Sequence, residues 1–412
     1  MKSVNRNLLS VIALFRYAMV LAVVICLASS AGAAQYKLLH KLRGQVGRKP
    51  AAGLILDAAG NLYGTTVGGG VYGRGTVFEL SPTPSGPWTE NVLYSFKGKK
   101  GSHPYAGVIS DSAGNLYGTT LWGGKTKWDG MVFELSRNPD SSWKETVLHS
   151  FEGGTDAEFP RSAVVFDAQG NLYGATPGGD GWPNGKVFKL APNPDGTWTE
   201  TTLYTFAGGA DGCGSYGDLI IDAADNLYGT TSGYGSCSGT VFELAPNPDG
   251  TWTKSTIHNF AGGNDGSYPY AGVIMDAKGN LYGTTEQGGR GKHSWGYGTA
   301  FMLTPNPDGS WKETLLHRFS LEDGSDPVAS LAMDAAGNLY GTTRAGGVYG
   351  YGTVFKLSAN PDGSWKRIKL HSFHGPDGAN PEGKLILDTA GNLYGTTYAG
   401  GRGNGVVFEI TP

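Results

Sequence analysis

Asp334-Ala-Ala-Gly-Asn-Leu-Tyr-Gly-Thr-Thr343 is one of seven copies of a single phrase. The phrase Asp-x-x-Gly-Asn-Leu-Tyr-Gly begins at Asp57, Asp111, Asp167, Asp222, Asp276, Asp334 and Asp388, and the fourth copy has Asp225 in place of the glycine. Successive starts are 54, 56, 55, 54, 58 and 54 residues apart. So regular a period means one supersecondary unit built seven times. The second copy shows what that unit is. Ala106 to Asp111 is short and apolar, as a strand would be. Asp111-Ser-Ala-Gly114 is a turn, with Asp to cap it and Gly to take positive φ. Asn115 to Thr120 is a second strand, β-branched and aromatic. A Gly-rich loop leads to a third strand, Gly130 to Leu135, and Asn138-Pro-Asp-Ser141 turns into a fourth, Trp143 to Phe151. Four short strands joined by tight turns make an antiparallel meander. No segment has the 3.6-residue apolar period of a helix. Asp225 fits a turn, because Asp tolerates the left-handed region better than most residues.

A four-stranded sheet repeated radially is a propeller blade. The seven copies therefore predict an all-β fold over residues 34–412, a seven-bladed β-propeller with four antiparallel strands per blade. Leu54-Ile55-Leu56 and Thr76-Val77-Phe78 are apolar on both faces. Stacked blades bury both faces, whereas a half-solvated sheet alternates. A parallel β-helix is the rival, but its coils are shorter and lack tight hairpins. The chain ends favour a closed ring. Tyr36-Lys-Leu-Leu-His-Lys-Leu42 aligns with Glu90 to Phe96 of a fourth strand, and the last copy stops at Ile410, the end of a third. The first residues are expected to complete the last blade, pairing two edges that would otherwise lie open.

Residues 1–33 differ from the rest. Lys2, Arg6 and Arg16 precede the apolar run Tyr17 to Ala28, and Ala31-Gly32-Ala33 offers small residues for cleavage. This layout predicts a secretory signal peptide. The run is short of the ~20 residues of a membrane span, although a retained anchor is the rival reading. Cys26 follows Ile25, which argues against a lipoprotein site. No later stretch is long enough to span. A secreted or periplasmic protein of a bacterial envelope is expected, as a monomer. The leader carries three bases and no acids, so its loss takes the net charge from −3 to −6. Without a Lys/Arg run, nucleic acid is not an expected partner. Gly, at 68 of 412 residues, is more than twice the usual ~7%. Trp and Tyr recur with the period, so the glycines belong to folded turns. Cys213 and Cys237 remain after the leader, and export makes a disulfide between them the expectation.

Little in the chain points to catalysis. His40, His149, His258, His317 and His371 share one repeat position with Tyr94 and Tyr204, on outer strands of different blades. That interchange reads as packing. His103, His293 and His374 lie in loops without a partner at metal spacing. The seven phrase-opening Asp residues are turn caps, and Asp156, Asp211, Asp265, Asp323 and Asp377 are turn formers. Gly68-x-Gly70-x-x-Gly73 is followed by a strand, not by the helix a dinucleotide site needs. Nucleophile-elbow, zincin and Walker motifs are absent. No catalytic residue, cofactor or metal site is predicted.

The aromatics are more informative. Trp88, Trp143, Trp198, Trp252, Trp311 and Trp365 open the fourth strands and are expected in the core. Trp122, Trp128, Trp182 and Trp295 lie between second and third strands, as do Tyr72, Tyr234, Tyr297 and Tyr349. These loops share a face with those leading into the first strands, and the opposite face has only short turns. The same face carries the non-repeating charges Asp129, Glu158, Arg161, Asp180, Asp218, Glu286, Asp326, Glu382 and Lys384. Loops on a rigid scaffold carry function. The predicted binding set is Tyr72, Trp122, Trp128, Asp129, Asp180, Trp182, Trp295 and Tyr349, with rings to stack and carboxylates to accept from hydroxyls. The plainer alternative is that these rings pack between neighbouring loops.

Gly-Asn-Leu-Tyr-Gly-Thr-Thr, then Gly-Gly, then Gly-Thr-Val-Phe-Glu-Leu stands almost intact at Gly60 to Leu80 and Gly337 to Leu357. This signature resembles the GloVer tandem repeat of "choice-of-anchor" bacterial exported proteins, over residues 36–412. The third copy departs with Ala175 and Lys186 for Thr, and the fourth lacks the Gly-Gly pair. The resemblance implies export and a propeller-like repeat domain, and no activity. The function expected is a non-enzymatic exported module that binds a glycan or a protein surface through its long-looped face. The alternatives are a polysaccharide hydrolase or lyase with two carboxylates near the central channel, and a purely structural envelope protein.

Overall fold

The computed structural model describes residues 33–84, 86–178, 185–232, 237–289 and 295–412. They form seven four-stranded antiparallel sheets arranged as a β-propeller. Blade one comprises Ile55–Leu56, Leu62–Thr66, Thr76–Ser81 and Thr89–Ser95, from the axis outward. Blades two to six repeat this order, beginning at Ile109–Ser110, Val165–Phe166, Ile220–Ile221, Ile274–Met275 and Ala332–Met333. Blade seven takes Ile386–Leu387, Leu393–Thr397 and Val406–Thr411 from the end of the chain and Gln35–Lys41 from its beginning. Tyr36 pairs with Ile410 and Lys41 with Val406, with a bulge between Leu38 and His40. The expected closure is therefore present, with the bulge that every other blade has between its third and fourth strands. Among the described residues no helix is long and apolar enough to cross a membrane. Residues 1–32, which hold nearly all of the signal peptide expected from the sequence, lie outside them.

The repeated phrase is explained atom by atom. Asp57 Oδ1 accepts from the backbone N–H groups of Ala59 and Asn61 at 2.9 and 2.8 Å. Its Oδ2 accepts from Asn61 Nδ2 at 2.8 Å and from the Tyr63 hydroxyl at 3.0 Å. The other six copies make the same set, as at Asp334 with Asn338 and Tyr340. Burial would raise the Asp57 carboxyl, but these donors outweigh it and hold the group below the usual range. The turn glycine has positive φ, 86° at Gly60, and Asp225 adopts 63° in its place.

Packing between blades supplies the core. Phe96 of blade one meets Phe133 of blade two edge to face, ring centres 5.1 Å apart. The contact recurs at Phe151–Phe188, Phe206–Phe242, Phe260–Phe301, Phe319–Phe355 and Phe373–Phe408. Edge-to-face rings are a favoured geometry. The fourth-strand tryptophans are only half-buried, against the expectation of a core position. They cover the outer ends of the seams, as Trp252 does on Tyr173 and Trp365 on Tyr282 of the preceding blades.

The innermost strands are two residues long, shorter than the sequence suggests. Their leading residues are small and crowd the axis, and their carbonyls turn to the neighbouring blade. Thr65 Oγ1 donates to Ala106 O at 2.8 Å, and Thr396 Oγ1 closes the circle onto Ala52 O at 2.9 Å. Cys213 and Cys237 of blade four are joined as a disulfide, Cα atoms 6.3 Å apart.

Candidate functional site

A cavity of about 360 Å³ opens at the centre of the ring and takes residues from all seven blades. Its wall is set by a strained step. In six blades the residue before a proline is left-handed: Lys49, His103, Phe159, Tyr268, Asp326 and Asn380, with φ of 60°, 56°, 55°, 59°, 57° and 54°. That conformation is costly for a non-glycine residue and persists only when its surroundings over-determine it. Here they do. His103 N–H donates to Arg74 O of the preceding blade, and its carbonyl accepts from Leu121 of its own. The residue after the proline then faces the axis. At this one repeat position stand Ala51, Tyr105, Arg161, Tyr216, Tyr270, Val328 and Glu382, all in the lining. Two positions further on stand Gly53, Gly107, Ala163, Asp218, Gly272, Ser330 and Lys384. Glu286 and Arg344 join from the ends of second strands. The scaffold repeats from blade to blade, and the wall does not.

The wall carries two side-chain clusters and a bridge between blades seven and four. Lys384 Nζ of blade seven reaches Asp218 Oδ2 of blade four at 3.3 Å, an ion pair across the axis. Asp218 is steadied by the N–H of Ala163 at 2.7 Å. In one cluster the Arg161 guanidinium lies over Tyr105 and Tyr216, 4.8 and 5.6 Å from their ring centres. Tyr216 in turn meets Tyr270 at 5.1 Å. In the other Arg344 Nη2 donates to Glu286 Oε1 at 3.1 Å and to Asp326 Oδ2 at 3.4 Å. Burial pushes the Glu286 carboxyl up, only partly offset by Arg344. Glu382 is raised in the same way, against the pull of Arg344, Arg161 and Lys49.

Of the predicted binding residues that the structure describes, none lines this cavity. Trp122, Trp128 and Asp129 come together in the loop of blade two. Trp122 packs on His103 at 4.5 Å and meets Trp128 at 6.3 Å. Trp128 and Trp295 are 63% and 62% exposed, and Tyr72 and Tyr349 are 52% and 58% exposed. Tyr72, Trp295 and Tyr349 belong to three different blades, one, five and six. Asp180 and Trp182 lie outside the described residues. Of the non-repeating charges, Arg161, Asp218, Glu286, Glu382 and Lys384 meet in the lining, and Asp326 touches it through Arg344. Tyr105, Tyr216, Tyr270 and Arg344 escaped the sequence reading. Aligning the copies on the recurrent proline and on Thr-Thr would have exposed them.

The outer-strand histidines pair with carboxylates away from the cavity, as in His40–Glu90 at 2.9 Å and His371–Asp377 at 2.7 Å. Where tyrosine replaces histidine the pairing continues, with Tyr94 donating to Glu145 and Tyr204 to Asp211. Among the described residues His258, Asp265 and Glu313 bring possible ligand atoms within 4.8 Å of one another, at the rim between blades four and five.

Ring and cavity together define a seven-bladed propeller with a ligand-sized central site. The chain belongs to the Gloeobacter/Verrucomicrobia repeat family, whose model matches residues 24–236, 139–307 and 290–412. No curated protein matches the chain. Among solved structures it is similar to a protein of unknown function from Dyadobacter fermentans, at 11% identity and a TM-score of 0.46, over 92% of this chain and 98% of that one. It is also similar to a luciferin-regenerating enzyme, at 13% identity and a TM-score of 0.44, over 92% and 95% of the two chains.

Proposed function

We propose that this protein is an exported, non-enzymatic binding module that holds a sugar in its central cavity. One observation carries the reading. Scaffold positions repeat in every blade, whereas the axial positions differ and gather into a tyrosine–arginine cluster from blades two to five and a glutamate–arginine cluster from blades five and six. Tyrosine faces suit the apolar face of a pyranose, and charged groups fix its hydroxyls. The leader-like sequence and the Cys213–Cys237 disulfide fit an oxidising compartment. On this reading the rim aromatics Tyr72, Trp122, Trp128, Trp182, Trp295 and Tyr349, with Asp129 and Asp180, add contacts for longer chains.

A glycan array on the mature protein identifies the ligand, and calorimetry on a Tyr216→Ala, Tyr270→Ala double variant tests the site. Each stacked ring contributes ~0.5–1.5 kcal/mol, so losing two should lower affinity about 5- to 150-fold at an unchanged melting temperature. Undiminished affinity would remove the sugar from the cavity.

The enzyme reading is supported by Glu286 and Glu382, two raised carboxyls in one cavity. A raised carboxyl suits a general acid. If the parent releases reducing ends from the glycan it binds, and Glu382→Gln binds without releasing them, hydrolysis replaces simple binding.

A further inference from the structure

The cations around the cavity are not equivalent. Arg344 is engaged by Glu286 and Asp326, and Lys384 by Asp218. Lys49 lies over the Tyr398 ring. Arg161 has no ion pair and no hydrogen bond among the described residues, and it is exposed. The faces of Tyr105 and Tyr216 hold it, and Glu382 attracts it across the cavity without an ion-pair contact. A guanidinium held over ring faces keeps its N–H groups available to another partner. The group is a planar fork matched to a carboxylate, which it binds with two parallel hydrogen bonds. Every other blade places Ala, Tyr, Val or Glu at this position.

The neighbours of Arg161 narrow the ligand further. Tyr216 lies beneath Arg161 and meets Tyr270 edge to face, so the tyrosine pair and the guanidinium adjoin. A pyranose on the tyrosines would direct an exocyclic substituent towards the guanidinium. The other charges of the wall answer one another, Lys384 with Asp218 and Arg344 with Glu286. Glu382 is the remaining acid, and its burial favours the neutral, hydrogen-bond-donating form. We infer, resting on the sugar-binding reading of the cavity, that the ligand is an acidic sugar, a hexuronate unit whose carboxylate is bound by Arg161.

Tetramers of galacturonate, glucuronate and mannuronate, each beside its methyl ester, are the probes. The ester keeps the sugar and removes the charge. For at least one pair the free acid should bind the full mature chain about 10-fold or more tighter than the ester in low salt. The gap should narrow as salt is added. Arg161→Gln should bring the acid down to the affinity of the ester and leave ester binding and melting unchanged. Arg161→Lys, with charge but no fork, should fall between. Equal affinities for acid and ester in the parent, or a gap that survives Arg161→Gln, overturn the inference. Binding of neutral glycans alone, lost on replacing Tyr216 and Tyr270, overturns it while the sugar-binding cavity stands. Binding of no saccharide at all overturns both.

Discussion

A glycine inside a strand costs conformational entropy and contributes no packing, yet all seven second strands contain one in Leu-Tyr-Gly. Register explains it. Gly229 stands directly opposite Phe242 on the third strand. A Cβ there would come within 2.7 Å of the Phe242 ring and of Leu219. The absent side chain makes room for a phenylalanine that is fully buried. Gly229→Ala should therefore act as overpacking and cost ~1–3 kcal/mol, read by urea unfolding. Trimming the ring in a Gly229→Ala, Phe242→Leu double variant should recover part of the loss. Additive losses would show that the ring and the glycine are not coupled. The Asp turn caps were legible in the sequence because their partners lie within six residues, from Asp57 to Tyr63. The Gly–Phe pairing was not, because the partner of a strand residue depends on a register set elsewhere.

Between elements, the outer strands meet at seven junctions built on one plan. A His or Tyr near the end of one strand faces an acid, from the loop that follows or from the next blade. The second member is Glu90, Glu145, Glu200, Lys254, Glu313, Arg367 or Tyr36, all at one repeat position. Several junctions carry a cation of their own. Lys254 bonds Asp211 at 2.8 Å, and Lys186 donates to Asp156 O at 2.5 Å beneath His149. The junction of blades four and five brings Asp265 and Glu313 together beside His258, with Arg318 as the nearby cation. Burial, then the Asp265 charge, pushes Glu313 up to about 7 from an ordinary 4.5. The folded pKa exceeds the unfolded one, so the folded state holds this proton more tightly. Its contribution is full below about pH 4.5 and is lost as pH rises towards 7. Asp265, held low by its hydrogen bonds from His258 and Ala261 despite burial, acts oppositely and weakens the fold only at more acid pH. Glu313→Gln keeps a donor for Asp265 and cannot ionise. It should flatten the fall in melting temperature between pH 5 and 7, measured by differential scanning calorimetry. An unchanged slope would place that dependence elsewhere, with Glu145, also raised to about 7 by burial, the next group to replace. The His/Tyr interchange was readable in the sequence as packing. The acid partner was not, since it comes from a loop or another blade.

At the scale of the molecule, the period made the ring legible, and the circular shift of one strand made its closure legible. The cavity was only half legible. Its charges stood out as non-repeating, but its tyrosines were hidden among many tyrosines until the fold carried them to the axis. Closure has consequences of its own, because a ring transmits the loss of one seam to every blade. The strand Gln35–Lys41 brings more than backbone pairing. Tyr36 stacks on His371 at 4.2 Å, and its hydroxyl donates to Asp377 O at 2.6 Å. Leu42 is fully buried and Leu39 nearly so. Burying two such leucines contributes roughly 3–6 kcal/mol, before any hydrogen bond is counted. Deleting residues 34–42 should leave Val406–Thr411 as an open edge and lower melting by about 5 °C or more, even allowing for a large chain in which each kcal/mol moves the midpoint little. An open edge also recruits other chains, so the deleted protein should dimerise or aggregate on size exclusion. A synthetic peptide of residues 34–42, added in excess, should restore both melting and monomer by refilling the blade. A deletion that melts within about one degree of the parent and stays monomeric would show that the ring holds without its N-terminal strand.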